Sequence, residues 1–313
     1  MKRLPELQHL PALQQQGIFF GTSSWKYEGW KGIVYCRDYK NKRDFEARCL
    51  EEYATIFPTV GIDFTFYTWP DPRVLQRYYE TTPASFTMAL KVTEQITVKR
   101  WPTHKRYGKL GGQENPLFLD PEAFKTQFLA RVEVLREKLG PIIFEFGTFF
   151  PGVIRRGAEF VERLDRFLAA IPQGYPYAVE VRNRSFLHPD YFACLRRHRV
   201  AHLFNSWTRM PRIGEQLCHP DSITGDFLVV RALLLPGRRY EEAVQAFAPY
   251  DRIKEPSPEL RADLVTVVER ARAEGKRAFI YVNNRAEGSS PHTIAAVVSL
   301  LEQRGILPVR TGV

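Results

Sequence analysis

The sequence predicts a single TIM-type (β/α)8 barrel with some irregular or missing helices and with long loops at the C-terminal ends of the strands. Apolar strand candidates alternate with amphipathic helix candidates along almost the whole chain. The strand candidates number eight, and a chain of 313 residues has room for one such barrel. No low-complexity linker or internal repeat divides the chain into two domains.

The strand candidates are short runs rich in β-branched and aromatic residues. They cover residues 18–22, 59–66, 86–92, 141–147, 177–183, 200–206, 227–233 and 277–284. Because segments of helix length separate consecutive runs, the sheet is predicted to be parallel and covered by helices. Eight such units favour closure into a barrel over an open sheet.

Helical periodicity fills most of the intervals between strands. It predicts helices over 43–57, 71–83, 120–140, 157–174, 188–200, 257–276 and 290–305. Several of them begin at Asp-Pro or Ser-Pro and end at Gly, as helices commonly do. Two interruptions, 93–119 and 234–258, are predicted to be long loops, the second with one short helix. Residues 1–17 are predicted to be a loosely attached tail that precedes the barrel domain, 18–313.

Net charge, cysteine spacing and the distribution of apolar residues indicate the kind of ligand and the cellular environment of the protein. The formal charge of +10 comes largely from arginine, which suits carboxylate and phosphate ligands, although a solvated basic surface is the alternative. The four cysteines form no CxxC pair, which favours reduced thiols and a cytoplasmic protein. No signal-peptide core or run of about 18 apolar residues occurs, so no membrane association is expected.

Polar side chains recur where the predicted strands end, which is where barrel enzymes place their chemistry. These residues are Asp63, Lys91, Glu145, Glu180, Arg182, Asn205, Arg231 and Asn283. Since side chains alternate along a strand, Glu180 and Arg182 share the face of Ala178. The same alternation places Glu145 and Arg231 at the same mouth of the barrel. The alternative is that these charges pair with one another as a structural lid on the core.

The segment GTSSWKYEGWKG, residues 21–32, follows the first strand and is unusually aromatic. Ser23, Trp25 and Trp30 are predicted to bind a ligand at the mouth, together with Tyr67 after the second strand, because flat rings stack on sugars or bases. The alternative is that the rings plug the end of the barrel.

Several motifs together resemble a known family. GTSSWKYEGWKGIVYC, VGIDFTFYTWPDPRVLQRYYETTPASFTMALKV, AVEVRNRSFLHPDYFACLRRHRVAHLFNSW and FIYVNNRAEGSSPHTIA are similar to successive signatures of the domain-of-unknown-function family 72, the YecE-like proteins. The resemblance extends from Ile18 to the last predicted helix and implies a TIM-type barrel, without an established activity. Asp63 stands where many relatives carry glutamate, and Ala232 stands where many carry histidine.

The leading functional hypothesis is an enzyme, hydrolytic in type, that acts on a small anionic, phosphorylated or sugar-like ligand. Glu145 and Glu180 end adjacent strands, and neighbouring carboxylates tend to separate into one raised and one lowered pKa, as acid and base catalysis requires. Lys91, Arg182 and Arg231 would hold the anionic group, with Asn283 orienting it. No cofactor is expected, because neither a Walker nor a dinucleotide-binding glycine pattern occurs.

Two alternatives stay open. Asp63, Glu145 and Glu180 would supply oxygen ligands for a divalent metal in a phosphoesterase. Residues 98–109, VKRWPTHKRYGK, interleave basic and aromatic side chains, which suits weak nucleic-acid binding by a non-catalytic protein; a solvated loop is the plainer interpretation.

Overall fold

The computed structural model describes residues 4–150 and 152–307, and its central feature is a closed barrel of parallel strands. The strands β1–β8 are Ile18–Thr22, Thr59–Ile62, Thr87–Lys91, Leu139–Phe146, Tyr177–Val181, Ala201–Ser206, Phe227–Ala232 and Arg277–Val282. Each strand pairs with the next, and β8 pairs with β1. The predicted barrel and its closure are therefore confirmed, and every observed strand overlaps its predicted run.

Helices cover the strands on the outside. The α-helices α1–α13 are Leu10–Gln15, Lys42–Tyr53, Phe64–Tyr67, Pro72–Thr81, Glu94–Thr97, Pro121–Ala123, Ala130–Val132, Gly157–Ala170, Pro189–Arg197, Ile213–Leu217, Tyr240–Phe247, Pro258–Ala273 and Ser290–Gln303. Five 3₁₀-helices in the described residues are Pro5–His9, Glu28–Trp30, Lys105–Leu110, Glu133–Lys138 and Arg184–Phe186. Among the described residues, no helix combines the length and the apolar character that a bilayer span needs.

The expected irregular helices are confirmed most clearly between β3 and β4. The periodic segment 120–140 is broken into α6, a π-helical stretch over Phe124–Leu129, α7 and a 3₁₀-helix. Arg136 leaves the helical region with a φ of 48°, which ends the regular helix before β4 begins.

The second strand is shorter than predicted, and this changes the position of Asp63. Residues 59–66 were expected to form one strand, but β2 ends at Ile62 and α3 follows. Asp63 already has a helical backbone, and the Thr65 hydroxyl donates hydrogen bonds to the carbonyls of Ile62 and Lys91. The turn places Asp63 at the end of the barrel instead of within a continuing strand.

The prediction of a loose N-terminal tail is wrong for its described part. Residues Pro5–His9 and α1 are helical, and Leu7, Leu10 and Leu13 are buried in the same hydrophobic core as β1. Burying three leucine side chains stabilises the packed state by about 1.5–3 kcal/mol each relative to exposure. The helical segment that precedes β1 is thus part of the core.

Alternation along the strands creates a separate core inside the barrel. Its buried members are Ala89, Ile143, Ala178, Ala201, Leu203, Phe227, Val229, Phe279 and Tyr281, and the half-buried Phe19 packs against them. The alternate strand residues instead join the larger core between the sheet and the helices. Glu145, Glu180 and Arg231 each lie two residues beyond an interior residue, so they continue the interior column towards the C-terminal ends of the strands.

His202 belongs to the outer core. Its buried imidazole is expected to make the stability of the protein depend on pH. The ring is 1% exposed, its Nδ1 lies 3.2 Å from the Tyr191 hydroxyl, and burial lowers its pKa to about 3. The unfolded chain binds a proton below about pH 6.5, whereas the folded chain does not. As the pH is lowered below that value, the free energy of unfolding is therefore expected to fall. The loss reaches about 2 kcal/mol at pH 5.

Urea titrations at pH 7.5 and pH 5 of the wild type and of His202→Gln measure this contribution. The variant is expected to lose about 2 kcal/mol of the pH dependence, because glutamine does not titrate. Equal pH dependence in both proteins would show that the buried imidazole is not the source.

Candidate functional site

Six charged side chains meet at the C-terminal end of the barrel, and this cluster is called the charged mouth. Its members are Asp63, Lys91, Glu145, Glu180, Arg182 and Arg231. The strand register explains the meeting, because Glu145 is paired with Glu180 across β4 and β5. The structure thus brings together residues from β3, β4, β5 and β7, and from the turn after β2.

Arg231 is the bridging group of the charged mouth. Its Nη1 lies 2.6 Å from Glu145 Oε2 and 2.5 Å from Glu180 Oε2. Burial of the guanidinium acts to lower its pKa, but the carboxylates of Glu180, Glu145 and Asp63 outweigh burial and raise it. The arginine is therefore held charged between two buried carboxylates.

Glu145 is surrounded by positive charge. Lys91 Nζ lies 2.8 Å from Oε2 and Arg182 Nη2 lies 3.0 Å from Oε1, in addition to Arg231. Burial acts to raise the pKa of this carboxyl, but the charges of Arg182, Lys91 and Arg231 hold it well below its usual range. Glu145 is thus held ionised at neutral pH, which disfavours it as the proton-donating member of the pair.

The charges of the mouth balance, and their exposure differs. Three carboxylates face three cations, and the Glu180 side chain is fully buried. Asp63 is the accessible carboxylate, with 35% of its side chain exposed and with Oδ1 at 3.7 Å from both Lys91 Nζ and Arg231 Nη2. Those separations exceed the length of a hydrogen bond. Asp63 therefore faces solvent beside two cations without being tied to them.

Donor capacity remains at the two cations nearest Asp63. The Lys91 ammonium has three N–H donors. Among the described carboxylates, Glu145 lies within hydrogen-bonding distance of Lys91 Nζ, whereas Asp63 lies farther away. Arg231 donates from Nη1 to both glutamates, and its Nη2 lies 3.7 Å from Asp63 Oδ1. A ligand oxygen placed beside Asp63 can accept hydrogen bonds from both groups.

The amide and hydroxyl residues predicted for the site lie at the same end of the barrel and are buried. Ser23 Oγ and Asn205 Oδ1 have no hydrogen-bond partner among the described residues. Asn205 Nδ2 donates to the carbonyl of Val181, and Asn283 Oδ1 accepts from the backbone of Arg285. These contacts fix the amide side chains in place beneath the mouth.

The prediction that aromatic rings are presented to a ligand at the mouth is wrong for Trp25 and Trp30. Their exposures are 4% and 0%, and both rings are part of the hydrophobic core, where Trp25 packs edge-on against Tyr78. Burying such large apolar faces is more favourable than leaving them in a loop exposed to water. Tyr67 is the exposed aromatic, at 57%, and the Arg106 guanidinium lies 4.6 Å from its ring centre.

Sequence reasoning missed a second part of the site, an adjacent cavity called the arginine groove. It has a volume of about 690 Å³ and is lined by Thr148, Phe149, Phe150, Arg182, Asn183, Arg184, Ser185 and Arg209. Arg184 and Arg209 are exposed and form no ion pair with a described residue. Arg182 also belongs to the charged mouth and stacks on Trp207 at 3.8 Å. The groove therefore adjoins the mouth at Arg182.

One signal for this groove was present in the sequence. Trp207 follows directly on the polar end of β6, and Arg184 follows Arg182 by two residues. Both positions continue the pattern of functional side chains just beyond strand ends. Arg209 lies in an irregular loop, where no periodicity indicates the direction of a side chain.

The geometry disfavours the divalent-metal alternative at the mouth. Asp63, Glu145 and Glu180 would be its ligands, but the Arg231 guanidinium bonds to both glutamates and lies 3.7 Å from Asp63. A metal ion there would lie against Arg231 and close to Lys91, so like-charge repulsion opposes binding.

The basic loop 98–109 is largely engaged within the protein. Arg100 pairs with Glu114 at 2.6 Å, Arg106 pairs with Glu94 at 2.5 Å, and Lys99 Nζ donates to the carbonyl of Val153 at 2.7 Å. The Trp101 side chain is buried. Lys105 and Lys109 are exposed, so the loop keeps part of its charge, but its arginines are paired within the protein and its tryptophan is not available for stacking on bases.

Comparisons with known proteins agree with this architecture. The family model described as "Protein of unknown function DUF72" matches residues 19–311. The UPF0759 protein YecE of Escherichia coli K12 is 25% identical over 176 residues. The match covers 56% of this chain and 50% of the length of that relative. Crystal structures of DUF72 family proteins from Enterococcus faecalis and Thermotoga maritima superpose with a TM-score of 0.61 each. Their identities are 18% and 22%, with 92% and 91% of this chain and 94% and 99% of theirs covered.

Proposed function

The chain belongs to the DUF72 family of proteins of unknown function, and on that premise we propose that it is an enzyme acting on a small anionic, phosphorylated or sugar-like ligand, by hydrolysis, at the charged mouth. The observation that carries the proposal is the solvent-facing carboxylate of Asp63 beside two cations that retain free donors. A lid that served stability alone would not need these buried charges, because apolar side chains fill such a volume at lower desolvation cost.

Each member of the charged mouth has a distinct proposed role. Lys91 and Arg231 Nη2 hold an anionic oxygen of the ligand and stabilise charge that develops during reaction. Asp63 is the group that meets the reacting centre, as a general base or as a nucleophile. Glu145 and Glu180 act as positioning residues, since they fix the two cations and Arg182 by short ion pairs.

The arginine groove supports the choice of an anionic ligand. Within the mouth the formal charges cancel, so net attraction for an anion comes from Arg184 and Arg209. Phe149 and Phe150 supply apolar surface beside them, and the Phe150 side chain is 62% exposed. A ligand with a negative group in the groove and a reactive bond near Asp63 fits both features. The nucleic-acid alternative is a weaker proposal, because the loop 98–109 pairs Arg100 and Arg106 within the protein and buries Trp101, its largest stacking surface.

Ligand binding is expected to depend on the groove arginines. A thermal-shift panel of inorganic phosphate, sugar phosphates, uronic acids and nucleoside monophosphates identifies a binder, and calorimetry then compares the wild type with Arg184→Ala and Arg209→Ala. Each variant is expected to bind the ligand more weakly, with a dissociation constant about ten times higher. A hydrogen bond to a charged group contributes about 1.5 kcal/mol or more, which corresponds to that change.

Arg272→Ala is the matched control, because this exposed arginine lies at the C-terminal end of α12, away from the mouth. It should leave the dissociation constant unchanged. Equal affinity in all four proteins, or no binder among the anions, would remove the proposed anionic ligand.

A further inference from the structure

Helices α8 and α9 bring together three side chains with metal-binding chemistry, far from the residues assigned above. Asp165 comes from α8, whereas Cys194 and His198 come from α9 and the residue that ends it. Cys194 and His198 are four residues apart and therefore share one helix face. One ligand atom of each lies within 4.8 Å of the other two.

We propose that Asp165, Cys194 and His198 bind one transition-metal ion, with zinc as the preferred metal. Asp165 Oδ1 lies 2.8 Å from His198 Nε2 and 3.7 Å from Cys194 Sγ. Zinc–ligand bonds of about 2.0–2.3 Å in a tetrahedron place neighbouring ligand atoms about 3.3–3.6 Å apart. The two separations from Asp165 lie within about 0.5 Å of that range, and the third pair of ligand atoms lies within 4.8 Å, so side-chain adjustment would close the site around the ion.

The donor set selects among metals. A thiolate, an imidazole and one carboxylate suit zinc and its neighbours in the first transition row, whereas Mg²⁺ and Ca²⁺ require oxygen ligands. Binding forms a metal–sulfur bond and releases the thiol proton of Cys194 to solvent, so the affinity falls as the pH is lowered. Water takes the fourth position.

Arg197 is the competitor for this site. Its Nη1 lies 2.5 Å from Asp165 Oδ1, and 63% of its side chain is exposed. The guanidinium can move into solvent when a metal replaces it, at the cost of one partly exposed ion pair. This arrangement sets a specific expectation, namely that removing Arg197 strengthens metal binding.

The location indicates a structural role for the metal. Arg197 and His198 line a cavity together with Arg277 and Phe279 at the start of β8, at the N-terminal end of the barrel. The charged mouth lies at the opposite end of the strands. A metal at the triad would link α8 to α9 and stabilise the folded chain by mass action, independently of the proposed enzyme activity.

Titration of the full chain with Co²⁺ tests the proposal, because cobalt bound to a thiolate gives a ligand-to-metal charge-transfer absorption. The Cys218→Ser protein serves as the parent, since it lacks the exposed thiol. We expect one Co²⁺ per chain, displaced by Zn²⁺, and loss of the band in Cys194→Ser. Arg197→Ala should bind Co²⁺ up to about fivefold more tightly, the change expected on losing one competing ion pair that is partly exposed.

His198→Gln provides a second test if Cys194→Ser fails to fold, as judged by circular dichroism. It should weaken Co²⁺ binding while keeping the thiolate. The proposal is overturned if the parent shows no charge-transfer band, or if the band persists unchanged in folded Cys194→Ser or His198→Gln.

Discussion

Arg231→Met is expected to lower the free energy of unfolding by about 3–5 kcal/mol, the range observed when one partner of a buried ion pair is removed. The substitution keeps a long apolar side chain, so little packing is lost. It leaves Glu180, whose side chain is fully buried, with Arg182 as its remaining described cation at 3.0 Å. Urea denaturation followed by tryptophan fluorescence measures the change.

Arg209→Met is the matched control, because it removes the same charge from an exposed arginine without an ion pair to a described residue. Its free energy of unfolding should change by less than about 0.5 kcal/mol. Adding Glu180→Gln to Arg231→Met should recover part of the loss, since the orphaned charge is then gone. If Arg231→Met were as stable as Arg209→Met, the mouth would not be held together by buried charge.

Much of the fold was predictable because local patterns determine it. The interior positions of Ala178 and Val229 follow from a period of two, which any β-strand obeys. The meeting of Glu145, Glu180 and Arg231 then follows from the register of neighbouring parallel strands. These features need no knowledge of loops, and the prediction was confirmed in both respects.

The remainder depends on contacts between distant segments. Asp63 leaves the strand because Thr65 bonds to the carbonyl of Lys91, 26 residues away. Trp30 is buried because other parts of the chain cover it, although its own segment resembles an exposed aromatic loop. The lowered pKa of Glu145 arises from cations on β3 and β7 and just beyond the end of β5, at separations that no sequence pattern encodes.

The structural-lid interpretation and the enzyme interpretation make different claims about Asp63. A lid would need each charge to be paired closely, yet Asp63 stands 3.7 Å from its nearest cations and is partly exposed. Asp63 is the partly exposed member of these pairs, so solvent screens its attraction to the two buried cations. Asp63 therefore adds little to stability, and its loss separates the two interpretations through activity.

Asp63→Asn is expected to reduce kcat/KM by about 10²–10⁴-fold for a substrate found by screening phosphate esters and glycosides, the loss typical of removing a general base. The amide keeps the size of the carboxylate but cannot accept a proton at neutral pH. Thermal unfolding should be almost unchanged, which excludes misfolding as the cause. Asp63→Glu should retain part of the activity, because it restores a carboxylate at a displaced position.

Asp226→Asn is the control for this substitution, since it makes the same chemical change at an exposed residue just before β7, at the other end of the barrel. It should turn over substrate at the wild-type rate. Full activity in Asp63→Asn would eliminate Asp63 as the reacting group. If the wild type bound the anionic ligands but turned over none of their esters or glycosides, the charged mouth would be a binding site without catalysis.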